Sequence, residues 1–319
     1  INSIIPSTNQ ECDATIIDIS GNGSPIYYYT INGRKKLIPR DIFIEYSTLE
    51  WDNENMIYKE IMSTKNIPYI SESITINPPV LCPTIFNIHG DRFLTEWGQS
   101  ISLDSDRYTP NSVNVTTAVY QNKSNVNDAT NIIGNDTGLG GSAPADIFFR
   151  AYITDAVAHS EWQMASDPNF ENIVYRFNEQ DLDYTFIDEG TTYVRFVGSN
   201  YDGSCQSYGE VYTVSIGASE LKIPNAFSPD GDGINDIWKI SFKSLIDFDC
   251  SIYDRHGHEI YHFNNPTEGW DGCYHGKTVK SGVYFYVITA TGADGKKYKR
   301  SGDINILKSI KNSNITGGE

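Results

Sequence analysis

The chain has 319 residues, a formal net charge of −17, 21 tyrosines and 14 phenylalanines, which suggests two or three domains rich in β-structure. No run approaches the roughly 18 consecutive apolar residues of a membrane-spanning helix. Residues 1–219 hold 28 acidic and 12 basic side chains, and this net charge of −16 disfavours nucleic acid and anionic membranes as partners.

Residues 1–80 are predicted to form a first β module of the immunoglobulin (Ig)-like type. The sequence starts at Ile1 without Met or a signal peptide, as expected of a processed or cloned segment of a secreted protein. Asn32 and Gly33, between two strand-like runs, form the dipeptide of a type I′ hairpin. Further strand-like runs follow at residues 42–46, 56–61 and 74–76. Pro78 and Pro79 then end the module, because neither ring can donate to a sheet.

Residues 81–219 are predicted to form a second Ig-like sandwich. Strand-like runs at 84–88 and 100–103 precede a polar, Asn- and Gly-rich stretch at 104–144, which is interpreted as an ordered insertion or a mobile loop. Clearer strand-like runs follow at 148–153, 160–164, 173–177, 184–186, 192–197 and 210–216. Trp162, the run from Tyr184 to Phe186 and the run from Gly190 to Arg195 are similar to polycystic-kidney-disease-like repeats of bacterial surface proteins.

Five cysteines show no C-x-x-C spacing, which argues against a zinc or thioredoxin-like site. Disulfides are permitted in an exported protein. A disulfide between Cys82 and Cys205 would join the two ends of the second module, and one between Cys250 and Cys273 would cross-link the C-terminal module. Cys12 would then pair with a part of the protein absent from this chain. Free buried thiols are the alternative.

One tripeptide, Asp136, Thr137 and Gly138, matches the active-site sequence of aspartic proteases. That chemistry needs two carboxylates that share a proton, and the tripeptide occurs once, in a Gly-rich stretch, so a turn is favoured. No serine lies in a recognisable nucleophile motif. We therefore predict that the chain is not an enzyme.

Residues 250–307 read as hairpins. Runs at 250–253 and 259–263 flank a turn at residues 254–257, and Asp294 with Gly295 joins a run at 283–289 to one at 297–307. Alternation would place His256, His258 and His262 on one face, where imidazoles could bind zinc. Solvated turn and edge residues are the favoured interpretation, since no carboxylate or Cys partner is evident.

Four motifs in the last quarter of the chain occur in a specific order. They are PNAFSPDGDGIND at 224–236, GWDG at 269–272, SGVY at 281–284 and DG at 294–295 before a basic strand. The stretch resembles the gliding-motility-associated C-terminal domain, the type B sorting domain that many Bacteroidetes surface proteins carry for the type IX secretion system. His256, Cys273 and His275 depart from residues usual in that family, and residues 309–319 would form a flexible tail.

The resemblance implies that residues 220–308 form a small β-sandwich sorting domain. Its partners would be the type IX secretion machinery and an outer-membrane protein. The protein would be extracellular or at the cell surface, attached to the outer membrane.

Asp230, Asp232 and Asp236 are the best candidates for a metal site. Carboxylates at relative positions one, three and seven, with intervening glycines, could wrap a hard cation such as calcium (Ca²⁺). The loop is not an EF-hand, because the bidentate acid at position twelve is missing. The alternative is a set of Asx turns that stabilises the loop without metal.

The basic residues of the last hairpin, Lys296, Lys297, Lys299 and Arg300, form the one basic cluster of this domain. They could contact an acidic face of the sorting partner. The equally favoured alternative is a solvated edge strand that its lysines protect from aggregation.

The predicted fold class is therefore all-β, with tandem Ig-like β-sandwich modules followed by a small C-terminal β-sandwich sorting domain. Our first hypothesis is the C-terminal segment of a secreted or cell-surface structural or adhesion protein. A second hypothesis is a set of spacer and sorting domains of a larger secreted enzyme or carbohydrate-binding protein. In a third, the second module binds a glycan or surface ligand through residues 104–144 and exposed tyrosines.

Overall fold

A computed structural model describes residues 1–8, 10–121 and 138–307. Over these ranges the chain folds into strands with one five-residue helix, which confirms the all-β prediction. The strands form three consecutive modules, each around its own hydrophobic core. None of the described helical structure is long and apolar enough to cross a membrane.

The first module packs two sheets around one core. Its elements are β1 (Ser3–Pro6), β2 (Thr15–Ser20), β3 (Ile26–Tyr29), β4 (Lys35–Ile38), β5 (Ile42–Asp52), β6 (Ile57–Ile67), β7 (Ser73–Ile76), β8 (Asn87–Gly90), α1 (Arg92–Glu96) and β9 (Ser102–Asp104). The sheets have the orders β1-β2-β7 and β6-β5-β8-β9, and β3 and β4 form a separate hairpin. Because side chains alternate along a strand, Ile42, Ile44 and Tyr46 of β5 all face the core.

The first module extends past the boundary predicted at residue 80. Strand β8 pairs with β5, so that Ile88 lies opposite Ile44, and Thr84 forms a β-bridge with Tyr108. The pair Pro78 and Pro79 interrupts hydrogen bonding, as expected, but it does so where the chain crosses from one sheet to the other. The predicted boundary is therefore wrong, because the second sheet is incomplete without β8 and β9.

The hairpin around Asn32 is confirmed, but its turn is longer than a two-residue type I′ turn. The backbone N–H of Thr30 donates to the carbonyl of Arg34 at 2.9 Å, which leaves a three-residue loop. Gly33 has a φ of 71°, as the last residue of such a loop requires.

The second module is also built from two sheets. Its strands are β10 (Val115–Gln121), β11 (Leu139–Gly141), β12 (Ala145–Ile153), β13 (His159–Ala165), β14 (Ile173–Phe177), β15 (Asp181–Phe186), β16 (Gly190–Ser199), β17 (Gln206–Tyr208) and β18 (Tyr212–Ile216). One sheet has the order β10-β12-β15, and the other has the order β11-β18-β16-β13-β14 with β17 beside β16. The fully buried Trp162 packs against Phe149 and Phe196 between them.

The predicted insertion at 104–144 is not a single insertion. Its first part joins the two modules, and β10 within it pairs with residues 147–153 of β12. Strand β11 pairs in parallel with β18. Three β-branched residues, Val115, Thr116 and Thr117, begin β10 between Asn-rich neighbours, so local composition masks the strand. Residues 122–137 of the predicted insertion lie outside the described residues.

The C-terminal domain is organised around one five-stranded sheet. Its strands are β19 (Glu220–Lys222), β20 (Ala226–Phe227), β21 (Ser241–Lys243), β22 (Leu245–Tyr253), β23 (Glu259–Phe263), β24 (Cys273–Tyr274), β25 (Lys277–Thr278), β26 (Gly282–Gly292) and β27 (Lys297–Ile306). The main sheet has the order β20-β27-β26-β22-β23, and the pairs β19-β21 and β24-β25 form two small ribbons. Trp238 and Trp270, both fully buried, cover the inner face of the sheet. The predicted hairpins at 250–263 and 283–307 are confirmed.

Both predicted cysteine pairings are wrong. A disulfide joins Cys12 to Cys205, whereas Cys82, Cys250 and Cys273 are free. Cys82 is buried in the folded chain, and burial raises the pKa of its thiol. Cys250 faces the core of the C-terminal domain, where burial raises its thiol pKa to about 12. The alternative of free buried thiols therefore holds for Cys82 and Cys250, and the expectation that Cys12 pairs outside this chain is wrong.

The C-terminal domain contacts the second module through a closely packed junction. The Ser244 N–H donates to Ser142 Oγ at 2.7 Å, and Ser244 Oγ donates to the Gly217 carbonyl at 2.6 Å. The carbonyl of Ala293 accepts a hydrogen bond from Glu189 N–H, and its side chain belongs to the core of the second module. The turn between β26 and β27 thus completes the neighbouring module.

Candidate functional site

The loop between β20 and β21 is shaped by the carboxylate of Asp236. One oxygen, Oδ1, accepts from the backbone N–H groups of Asp230 at 3.0 Å and Gly231 at 2.7 Å, and Oδ2 accepts from Gly233 at 2.7 Å. The two glycines have φ angles of 80° and 85°, a region that glycine enters without steric cost. These hydrogen bonds, with that from Gly231 first, lower the pKa of Asp236.

Three carboxylates converge in this loop. Ligand oxygens of Asp230, Asp232 and Asp236 lie within 4.8 Å of one another. Asp230 Oδ1 accepts from the N–H of Asp232, and Asp232 Oδ1 accepts from the N–H of Ile234 at 2.8 Å. The loop therefore contains the Asx turns expected without metal. Oxygen ligands so close together also suit a hard cation, and calcium binding here stays a prediction.

We expect Asp236→Asn to loosen this loop. Because the pKa of Asp236 is lowered in the folded chain, its contribution is present above the ordinary carboxyl value of 3.8 and is lost as pH falls through the folded-state pKa. An asparagine has one acceptor oxygen, and with that oxygen on the N–H groups of Asp230 and Gly231 its NH₂ group faces the Gly233 N–H. Amide exchange at Gly233 should therefore become several-fold faster at neutral pH.

The matched control for this change is Asp232→Asn, because Asp232 accepts only from the nearby Ile234 N–H among the backbone bonds of the loop. We expect the control to leave both Ile234 and Gly233 protected, because one amide oxygen is enough to accept from the Ile234 N–H. Equal exchange at Gly233 in wild type and Asp236→Asn would contradict the assigned role of Asp236. Acidification of the wild-type chain below its folded-state pKa should reproduce the loosening.

The four predicted basic residues do not form one patch. Lys296 Nζ lies 4.9 Å and Arg300 Cζ 5.8 Å from the ring centroid of Tyr298, which is 5% exposed. Lys297 and Lys299 alternate with Tyr298 along β27 and therefore project from the opposite face of the sheet. Two of the four residues thus cover a buried tyrosine, and the other two lie on the outer face.

The part of β27 that carries these residues is one edge of the sheet. Strand β20 pairs with β27 only at Asn305 and Ile306, so residues 297–304 have no strand neighbour on that side among the described residues. Lysines on such an edge oppose pairing with other chains. This placement fits the edge-protection alternative, and a contact with a sorting partner stays a prediction.

An apolar stripe on the outer face of the same sheet was not predicted. Val283, Phe285 and Val287 of β26 are 46%, 44% and 40% exposed. Lys299 lies on the same face, since it pairs with Thr289 two residues after Val287. The run from Val283 to Ile288 is apolar or aromatic at every position, so its sequence pattern hides which residues face solvent. We call Val283, Phe285, Val287, Lys297 and Lys299 the outer face.

The three histidines have separate partners. His258 Nδ1 lies 3.3 Å from Asp254 Oδ2, and His262 Nε2 lies 2.7 Å from Asp249 Oδ2. His256 accepts a hydrogen bond from Arg255. Two of the three histidines therefore have a carboxylate partner that the sequence did not reveal. Asp254 lies in the hairpin turn, and Asp249 lies on the neighbouring strand β22.

The second module carries a polar groove on the outer side of its larger sheet. The groove has a volume of about 610 Å³. Its residues include His159, Glu161, Gln163, Arg195, Gln206 and Tyr208. Glycan binding by this module through residues 104–144 stays a prediction. The groove is a separate polar surface of the same module. Asp136 and Thr137 of the protease-like tripeptide lie outside the described residues.

Two family models match the chain. Residues 221–306 match the CHU_C type IX secretion signal domain, which confirms the resemblance of the C-terminal domain to a sorting domain. Residues 4–105 match the fibronectin type III domain, which is consistent with Ig-like modules and ends where the first module ends. Both are non-catalytic kinds of domain. A type IX secretion signal domain implies export and a surface or extracellular location. No curated protein matches the chain.

Several solved structures show similarity at low sequence identity. Fibronectin(III)-like modules of Clostridium thermocellum CbhA are 14% identical, with a TM-score of 0.22, over 60% of this chain and 95% of theirs. A tetra-tandem repeat from a large adhesion protein is 11% identical, with a TM-score of 0.21, over 96% of this chain and 74% of that one. A 1.5-MDa bacterial ice-binding adhesin is 10% identical, with a TM-score of 0.25, over 93% and 92%.

Proposed function

We propose, from the premise that residues 221–306 are a type IX secretion signal domain, that this chain is a segment of a secreted or cell-surface structural or adhesion protein. The domain at residues 221–306 is the sorting signal for export, and the preceding β modules are the domains that it exports. The single observation that carries this proposal is the family match over a domain with its own sheet and core. The fibronectin type III match in the first module supports a structural role for the exported domains.

The proposed partners are the type IX machinery and an outer-membrane protein, with attachment of the product to the outer membrane. The outer face supports this part of the proposal. Exposed apolar side chains next to lysines can bury area against a partner and attract its acidic groups at the same time. Both matched domains are of non-catalytic kinds, so we propose no enzymatic activity for this segment.

An alternative within the same scheme is that these modules are spacer and sorting domains of a larger secreted enzyme or carbohydrate-binding protein. It predicts the same export behaviour, since a sorting signal acts independently of the domains attached to it. The two hypotheses differ in which domains the rest of the protein contains. Sequencing the gene upstream of Ile1 separates them, and a catalytic or carbohydrate-binding domain there would favour the alternative.

The proposal is tested by fusing a reporter to residues 220–319 in a Bacteroidetes host, with and without a working type IX system. We expect reporter at the surface or in the medium of the competent strain and loss of that signal to background in the secretion mutant. A reporter fused to residues 1–105 is the matched control and should stay inside both strains. If the 220–319 fusion is also retained in both strains, a second fusion without residues 309–319 is measured. Retention of that fusion would overturn the proposal.

A further inference from the structure

The disulfide between Cys12 and Cys205 joins two different modules. Cys12 lies in the exposed loop between β1 and β2 of the first module. Cys205 is 4% exposed and ends the turn between β16 and β17 of the second module. Two hydrogen bonds between Asn200 and Cys205 close that turn. The bridge is thus anchored in folded structure on the side of the second module.

The bridge closes a very large covalent loop. Its two cysteines are 193 residues apart in sequence, yet their Cα atoms are 5.3 Å apart. The loop contains every strand from β2 to β16, which is nearly all of the first module and most of the second. Strands β1, β17 and β18 and the whole C-terminal domain lie outside it.

We infer that this disulfide has a mechanical function, as a force bypass for the first two modules. Tension applied between a point before Cys12 and a point after Cys205 passes through the S–S bond, because a covalent path of a few bonds is taut long before the folded chain beside it. Residues 13–204 then carry no sustained tension. The surface location in our proposed function supplies a source of tension, whereas the bypass itself is a property of the chain.

Two side-chain contacts between the modules lie inside this loop. Tyr58 Oη is 2.8 Å from Thr116 Oγ1, and the rings of Trp51 and Tyr152 pack with centroids 5.1 Å apart. All four residues are between the two cysteines in sequence. The bypass therefore protects the junction of the modules as well as their sheets.

Some strands remain exposed to tension. Among the described residues, strand β1 pairs with β2 alone and over four residues, so it can be peeled from its sheet. Strand β18 can be pulled away from β16 and β11, which removes Val214 and Ile216 from the core of the second module. The C-terminal domain receives the full force. Under load, β1, β18 and the C-terminal domain extend. Residues 13–204 stay in a closed loop even if their sheets open, because the disulfide joins the ends of that segment.

Single-molecule force spectroscopy of the full chain, held by handles at residues 1 and 319, tests this inference. With the bridge intact, the contour length released by complete unfolding should lack the segment between the cysteines. Dithiothreitol should restore it, and the gain should be roughly 640–690 Å for 193 residues at 3.3–3.6 Å each. In that reaction the reagent supplies two electrons and becomes a cyclic disulfide, and the two cysteines become thiols.

The double variant Cys12→Ser with Cys205→Ser should release the full length without reductant, and Cys82→Ser is the matched control that should behave like wild type. Release of the full length by the oxidised wild type, or a length that dithiothreitol does not change, would overturn the inference. If the double variant does not fold, the wild-type comparison with and without reductant still decides it. The export of the reporter fusion to residues 220–319 does not depend on either cysteine, so failure of the bypass and failure of the proposed function are separate results.

Discussion

Replacing Trp270 by alanine is expected to unfold the C-terminal domain. Trp270 is fully buried, and its ring packs against Phe227 and Tyr284 with centroids 5.5 and 5.3 Å apart. Its indole N–H donates to the Cys273 carbonyl at 3.0 Å. Truncation of such a side chain costs about 3–5 kcal/mol, and the orphaned carbonyl adds to that cost.

This cost is decisive because small domains are stable by only about 5–15 kcal/mol. Calorimetry of the full chain should show the transition of the C-terminal domain shifted far down or lost, while unfolding of the first module is unchanged. Tyr274→Ala is the matched control, since Tyr274 is an aromatic residue four positions on that is 41% exposed. Similar thermograms for the two variants would refute the central role of Trp270.

Replacing Asp91 by asparagine is expected to destabilise the first module strongly. Arg40 Nη2 lies 2.6 Å from Asp91 Oδ2, and the two side chains are 15% and 7% exposed. Asn keeps the capping contact with the N–H of Phe93 and tolerates the positive φ of this position, 91°. The charge and the Oδ2 acceptor of both Arg40 hydrogen bonds are removed, and the new NH₂ group faces the guanidinium, so Arg40 stays buried without its counter-ion. Breaking a buried pair in this way costs about 3–5 kcal/mol.

Asp41→Asn provides a closely matched comparison. Asp41 also has a positive φ, 55°, and pairs with Arg92 at 3.1 Å, but the side chains of that pair are 35% and 46% exposed. Exposed pairs contribute about 0–1 kcal/mol. Thermal unfolding should therefore show a shift of at least roughly 10 °C in the first module for Asp91→Asn and little change for Asp41→Asn. Equal shifts would mean that burial does not set the strength of these pairs.

The hairpins of the C-terminal domain could be predicted because their turns are determined locally. Gly257 and Gly295 both adopt positive φ, 84° and 72°, at the ends of turns that each contain one aspartate. Local chemistry was sufficient there, and the same holds for the Asx turns around Asp236.

The first module boundary and the disulfide could not be predicted, because both depend on contacts between distant parts of the chain. Pro78 and Pro79 interrupt a sheet equally well at a crossing within a module and at its end. Cys12 meets Cys205 only after two modules have taken up their relative positions. Cysteine spacing in the sequence contains no information about that placement.

The outer face was missed for a different reason. In β26 aromatic and branched residues occupy both faces, and the residues on the inner face of β26 pack against Trp238 and Trp270. A continuous apolar run predicts burial on both sides. Only the tertiary structure reveals that the second side has no covering element among the described residues.

The long separation of Cys12 and Cys205 also determines when their bond can form. Disulfides persist in oxidising compartments, and these two cysteines, 193 residues apart in sequence, come together only once both modules are folded. Cys82 is the one cysteine between them in sequence. It is buried in the folded chain, and burial raises the pKa of its thiol. Folding before oxidation therefore makes Cys82 a poor competitor for either cysteine.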